Sequence, residues 1–236
     1  MSSAEDEGAR DFTPTKHFIA YVDILGYGHL IKERGITTMA KIIDEAIREA
    51  RAFPEVKGVK QKVFSDNFLF CGTTEQEGIE IYKVVSYLQH TLILEGIFVR
   101  GAMCYGNISW SDDFVCGDGL IDVYKLESIA AIYPRILVHD NFISHLEPMH
   151  KMYGKLDDDY FHFVDYLKLC LSLIAYDDSE KTVEIILDYL ALHRDLVVKN
   201  LLVYRGNTKI QEKYQWCKRY HNNFCKEHGF SDYLID

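Results

Sequence analysis

Cations are scarce in this sequence: Lys and Arg total 26 against 36 Asp and Glu, a formal net charge of -10. An acidic surface repels phosphate backbones and anionic lipid, which argues against broad nucleic-acid binding and against docking on membranes. No apolar run approaches the roughly 20 residues that cross a bilayer. The opening Met1-Ser-Ser-Ala-Glu-Asp-Glu is acidic where a secretory signal is basic and then apolar. A cytoplasmic protein with no nucleic-acid and no membrane partner is expected. The six cysteines, Cys71, Cys104, Cys116, Cys170, Cys217 and Cys225, are scattered without a CxxC pair, so reduced core thiols are expected in place of a disulfide framework. GxxxxGK[ST], HExxH and GxSxG are all absent, which leaves P-loop kinase, zinc-protease and α/β-hydrolase readings without their central residues.

What is present suits a globular chain. Hydrophobic residues make up 48% and aromatics 13% of 236 residues, enough for one sizeable core with an appendage. Residues 1–15 read as a flexible arm. His17 to Asp23 is apolar on both faces, as a central strand is, and Leu25-Gly-Tyr-Gly28 breaks it. Met39, Ile42, Ile43, Ala46 and Ile47 then recur at helical spacing, with Phe53-Pro54 as a stop. Val59 to Cys71 reads as a hairpin around Ser65-Asp-Asn67. Ile81, Val84, Val85, Leu88 and Leu92 mark a second helix.

Ile97–Cys104 and Asn107–Cys116 read as two strands joined near Tyr105-Gly106. Gly117 to Ala131 reads as a helix, Tyr133 to Val138 as a strand, and Asp157 to Val164 as a last strand. Two helices follow, one around Val183 to Leu190 and one over Ile210 to His228. The order predicts an α+β fold, an antiparallel-rich sheet with helices on one face. Residues 16–165 are expected to form this domain, and 166–236 a helical extension packed on it.

The chemistry concentrates at two acidic residues. Asp23 ends a buried strand, where a charge costs several kcal/mol, on the order of the buried-ion penalty, unless something positive compensates it. The glycine turn after it offers backbone N–H groups to an anion at a helix start. Asp66 lies 43 residues later in the hairpin, and if its strand pairs beside the first, both carboxylates meet at one edge and can share divalent cations. The plain alternative is that Asp23 caps a helix and Asp66 begins a turn.

Five stretches carry a resemblance: Phe18-Ile-Ala-Tyr-Val-Asp-Ile-Leu-Gly-Tyr27, Phe64-Ser-Asp66, Arg100-Gly-Ala-Met-Cys-Tyr-Gly106, Gly117-Asp-Gly-Leu-Ile-Asp-Val-Tyr-Lys-Leu-Glu127 and Tyr133-Pro-Arg-Ile136. In order and spacing the chain resembles class III nucleotidyl cyclases, whose fold is a ferredoxin-like palm, and more closely the pyrimidine nucleotide cyclases of Pycsar antiphage defence. The resemblance implies that Asp23, Asp66 and the Ile24 carbonyl hold two Mn²⁺ or Mg²⁺ ions, and that Leu25, Gly26, Tyr27 and Gly28 hold the triphosphate. It implies a homodimer with composite sites, a UTP or CTP substrate, and a separate effector that senses the cyclic product.

The matching helix departs from the purine enzymes. Where those carry an Asn and an Arg, this chain has Ile121 and Lys125, and Val123-Tyr-Lys-Leu-Glu127 is similar to the Ala-Tyr-x-Leu-Glu of the pyrimidine enzymes. Lys125 offers one positive charge without the fork of Arg. Arg100 is a candidate phosphate or uracil contact, against a plain surface ion pair. Lys60 and Lys62 share one strand face as base or triphosphate contacts, against a solvated face. Tyr124 is a candidate base-stacking ring, against interface packing. Asp112 and Asp113 read as a polar turn or as acceptors for a base N–H. Cys217, His221, Cys225 and His228 have ligand-like composition, but the first and last span roughly 16 Å of helix, too far to meet around one zinc ion; a packed, partly exposed face is expected.

Overall fold

The computed structural model describes residues 13–52, 56–147, 154–168, 172 and 179–236. The expected arm through residue 12, the Phe53-Pro54 stop and Cys170 lie outside the described residues.

Strand β1 (Thr15–Ile24) is buried on both faces along its middle because it is central. It pairs antiparallel with β3 (Asn67–Gly72) on one side and β4 (Val99–Trp110) on the other. Two helices follow it, α1 (Tyr27–Arg34) and α2 (Ile36–Ala52), with Gly35 between them. Strand β2 (Lys60–Phe64) forms the edge beside β3. Helix α3 (Glu75–Leu94) starts on a capping box in which Thr74 and Glu77 satisfy each other's backbone N–H groups.

Beyond β4 come β5 (Val115–Cys116), α4 (Asp118–Ala130), β6 (Ile136–Val138) and α5 (Asp140–Ser144). Then follow the hairpin strands β7 (Gly154–Leu156) and β8 (His162–Val164), and the long helices α6 (Glu180–Val203) and α7 (Thr208–His228). The sheet order is β2-β3-β1-β4-β6-β8-β7, antiparallel except where β6 runs parallel to β4.

Alternation along β1 divides the core in two. Phe18, Ala20, Val22 and Ile24 point toward α2 and α3, whereas Ile19 and Tyr21 point toward α4, α6 and α7. Helices therefore cover both faces, not the one face expected from their order. A strand buried on both sides needs a cover on each, and the C-terminal helices supply Leu190, Val197, Trp216 and Phe224 to the second.

Two expected boundaries are corrected. The chain does not turn at Tyr105-Gly106: β4 runs unbroken through it, and the reversal comes at Ser111 to Phe114, closed by backbone bonding between those two residues. Gly106 is there for space, since a Cβ on it would meet the Cα of Gly119 at 2.6 Å, where α4 crosses the strand. Asp157 to Val164 is not one strand either; Asp157 to Phe161 is the turn of the β7–β8 hairpin. That turn exists to reach Arg135, which is fully buried, pairs with Asp157 and Asp159, and stands over the rings of Tyr133 and Trp216. Among the described residues, no helix is long and apolar enough to cross a membrane.

Candidate functional site

The β1–β3 and β1–β4 registers set the site. Asp23 stands opposite Asn67 on one neighbour and Arg100 on the other. The next backbone step ties the hairpin in: the Ile24 N–H donates to the Asp66 carbonyl at 3.1 Å, and the Leu25 N–H to the Phe98 carbonyl at 2.9 Å. Ser65 takes a positive φ of 59° to make the tight β2–β3 turn, so Asp66 stands one residue before Asn67, the register partner of Asp23. The two aspartates thus stand at neighbouring strand ends on one edge of the sheet.

A short relay orients Asp66. The Tyr21 hydroxyl donates to Asn67 Oδ1, and Asn67 Nδ2 donates to Asp66 Oδ1 at 3.1 Å. Burial and the surrounding carboxylates push the Tyr21 hydroxyl up to about 12, so it stays protonated and a donor. Burial raises the Asp23 carboxyl above its ordinary value; Arg100 opposes this and Asp66 adds to it. Arg100 Nε lies 3.2 Å from Asp23 Oδ2 and 2.8 Å from Glu127 Oε1. The Glu127 contact is one of charge alone, because that oxygen lacks an aligned donor. Burial raises the Glu127 carboxyl too. Part of the compensation that Asp23 requires is thus a guanidinium within the chain.

Beside the carboxylates the chain turns sharply. Gly26 has φ 72°, the left-handed region, and starts α1 with no side-chain cap. The N–H groups of Tyr27 and Gly28 have no acceptor among the described residues, and no atom lies within 4 Å of where a Cβ on Gly26 or Gly28 would sit. Open, unpaired donors at a helix start suit an anion.

The other candidates are spread apart. Lys60 and Lys62 share one sheet face, as their spacing predicts, and stand opposite Cys71 and Leu69 of β3, back along the hairpin from the turn that carries Asp66. Their ammonium groups lie 6.0 and 5.5 Å from the Trp110 ring, and Lys62 Nζ donates to the Asp112 carbonyl at 2.7 Å. Asp112 and Asp113 fall in the β4–β5 turn. Tyr124 meets Tyr21 edge-on at 5.9 Å and is half exposed. Ile121 and Lys125 face outward on α4. One chain therefore assembles Asp23, Asp66, Arg100 and the glycine turn, and leaves Lys60, Lys62 and Lys125 outside that group.

Tyr21, Asn67 and Glu127 join the site without having been singled out from the sequence. Strand alternation, which puts Tyr21 on the face of Asp23, was the signal available for the first; the others needed the register or the packing of α4. Of Cys217, His221, Cys225 and His228, the first three are buried and His228 is exposed, the packed, partly exposed face expected. His221 bonds to His193 at 3.0 Å and to the Tyr233 carbonyl at 2.8 Å. No group of three or more His, Cys, Asp or Glu side chains able to hold a metal occurs among the described residues. Cys71, Cys104, Cys217 and Cys225 are free and buried, Cys116 free and exposed. An open groove on α6, lined by Glu180, Glu184 and Asp188, carries the wrong charge for a nucleotide.

A donor set of two neighbouring carboxylates fits Mg²⁺ or Mn²⁺. These hard ions take one or two protein oxygens and complete their shell with water and substrate phosphate.

No family model and no curated protein matches the chain. Solved structures do. The monomeric guanylyl cyclase domain of the RhoGC fusion protein from the aquatic fungus Blastocladiella emersonii superposes with a TM-score of 0.50 at 14% identity, covering 64% of this chain and 95% of that one. The guanylate cyclase domain of RhGC from Catenaria anguillulae in complex with GTP gives 0.47 at 15%, covering 59% and 85%. The adenylyl cyclase CyaB from P. aeruginosa gives 0.44 at 16%, covering 56% and 80%. The first of these is a likeness of architecture: the mixed α+β arrangement of this chain, one open sheet with its helices, is the fold of a nucleotide cyclase catalytic domain.

Proposed function

We propose that this protein is a nucleotidyl cyclase that converts UTP to 3′,5′-cyclic UMP and diphosphate, with CTP to cyclic CMP as the nearest rival. The observation that carries the reading is the placing of Asp23 and Asp66 side by side at the mouth of the glycine turn, through the Asp23–Asn67 register and the Ile24 N–H bond to the Asp66 carbonyl; two like charges so close are costly unless they serve a cation. In the reaction the ribose 3′-oxygen bonds to the α-phosphorus, the bond from that phosphorus to the β-bridging oxygen breaks, diphosphate leaves, and the hydroxyl proton passes to water.

Asp23 and Asp66 would hold the divalent ions, with the Ile24 carbonyl as a further ligand. Ions bound there would supply Lewis acidity toward the phosphate and lower the pKa of the attacking hydroxyl. The Tyr21 to Asn67 relay keeps the Asp66 carboxylate turned to its partner. The Leu25 N–H is spent on the Phe98 carbonyl, so the unpaired N–H groups of Tyr27 and Gly28 would be the ones to neutralise the departing phosphates. Arg100, already beside Asp23, has further N–H groups for an α-phosphate oxygen or a base carbonyl.

The separation of Lys60, Lys62 and Lys125 from the aspartates supports a homodimer in which these groups and Tyr124 serve the partner's site. Phe64, Ile121 and Tyr124 are each 54% exposed on that side, as surfaces awaiting a second copy are. Pyrimidine choice rests on Val123-Tyr-Lys-Leu-Glu127 and on Ile121. A role in antiphage defence, with a separate effector sensing the product in the cytoplasm, rests on the same resemblance.

The test is purified protein with each ribonucleoside triphosphate and Mn²⁺, read by chromatography of cyclic products. Cyclic UMP at a specific activity that rises with protein concentration is expected. Absence of any cyclic nucleotide at high concentration would refute the proposal. One observation favours a second reading: Arg100 neutralises Asp23 without metal, and α4 offers no inward cation. A binding module that holds nucleotide without turnover would bind triphosphate, release no diphosphate and tolerate Asp66→Ala.

A further inference from the structure

Helix α7 brings one more cation to the face that carries Asp23. Lys213 stands one residue before Tyr214, whose ring meets Phe98 edge-on at 5.4 Å. The carbonyl of the same Phe98 accepts the Leu25 N–H, so this turn of α7 packs on the residue that anchors the start of the glycine turn. Lys213 is half-buried, and its ammonium has no hydrogen-bond or ion-pair partner among the described residues. Both Arg100 and Asp23 lie within its electrostatic reach: burial and Arg100 lower its pKa, and Asp23 raises it.

A lysine drawn partly out of water, with no partner of its own, is an unfavourable placement without an anion to receive it. The anions already present do not use it. Asp23 is bonded to Arg100, Glu127 faces Arg100 from the other side, and Asp66 is held by Asn67. Helix α4, the other cover of this face, turns its own Lys125 outward. A multiply charged anion seated between the glycine turn and the aspartates would meet Lys213 next.

We infer that Lys213 is a triphosphate-binding residue, delivered to the site by the C-terminal helical hairpin of the same chain. The inference rests on the cyclase reading for its ligand class, and its test is separate. Full-length protein with Mn²⁺ is titrated with inorganic tripolyphosphate, which carries the triphosphate charge and no base, and with uridine monophosphate. Lys213→Met is expected to weaken tripolyphosphate binding about tenfold, about 1.4 kcal/mol, and to leave uridine monophosphate binding unchanged; Lys213→Arg should stay within about threefold of the wild type.

Tripolyphosphate binding unchanged in K213M would overturn the inference. So would equal losses for both ligands, which would mark a packing role, and so would a wild type that does not bind tripolyphosphate. The cyclase reading stands or falls on the cyclic-product assay, so the two can fail independently.

Discussion

Replacing Asp66 by Asn separates the electrostatic cost of the site from its use. Asn keeps an oxygen to accept the Asn67 amide, so the relay from Tyr21 survives, while one of two adjacent negative charges is removed. Two unit charges about 4 Å apart repel by roughly 4 kcal/mol at an effective dielectric of 20 and by about 1 kcal/mol in water. The Asp23 side chain is 19% exposed and paired with Arg100, so a net relief near the lower figure, about 1 kcal/mol, is expected.

For a chain of this size that raises the melting temperature by about 2–4 °C in EDTA. The sign with pH follows from Asp23, whose folded-state pKa lies above its ordinary 3.8. Between those two values the folded state binds more protons, so this group's penalty grows as pH rises through that window and is complete above it. The gain in D66N should therefore be full at neutral pH and vanish below about 3.8. With Mn²⁺ at a hundredfold its dissociation constant the wild type should gain about 2.7 kcal/mol, most of which D66N forfeits, so the order of stability reverses. Differential scanning calorimetry with and without Mn²⁺ reads all of this. A variant that melts below the wild type in EDTA, or keeps the full Mn²⁺ shift, would refute the reasoning.

Other sites give sharper stability effects. Arg135→Met removes a fully buried guanidinium from Asp157 and Asp159 and should cost about 3–5 kcal/mol in urea unfolding; a loss below about 1 kcal/mol would count against a buried staple. Gly106→Ala drives a Cβ into the Gly119 backbone, whereas Gly26→Ala meets open space and only the cost of a left-handed φ. The first should cost about 1–3 kcal/mol and the second about 1–2 kcal/mol, with a backbone shift near α4 only in the first. Burial lowers His90 to about 4, below its unfolded 6.5, so the stability of its neutral form is lost as pH falls from about 6.5 toward 4. His90→Phe keeps the stack on Tyr189 and removes the unpartnered Nδ1; its acid-unfolding curve should be flatter in that range, and an unchanged slope would exclude His90 as a contributor.

The chain itself determined the local elements and the chemical types at the site. An apolar stretch ending in Asp23, a glycine turn, a helical stripe and a hairpin around Asp66 are properties of short windows, where periodicity and turn chemistry act. Tertiary contact decided everything that depends on which surfaces meet. Gly106 reads as a turn residue from composition and is a contact residue because α4 crosses it. The Asp157 turn looks like strand until Arg135 is found beneath it. Register placed Arg100 across from Asp23, and packing of α7, distant in sequence, brought Lys213 to the same face. Coulomb interactions act through space and carry no trace in local sequence, so the charges that complete this site became visible only once the helices were laid over the sheet.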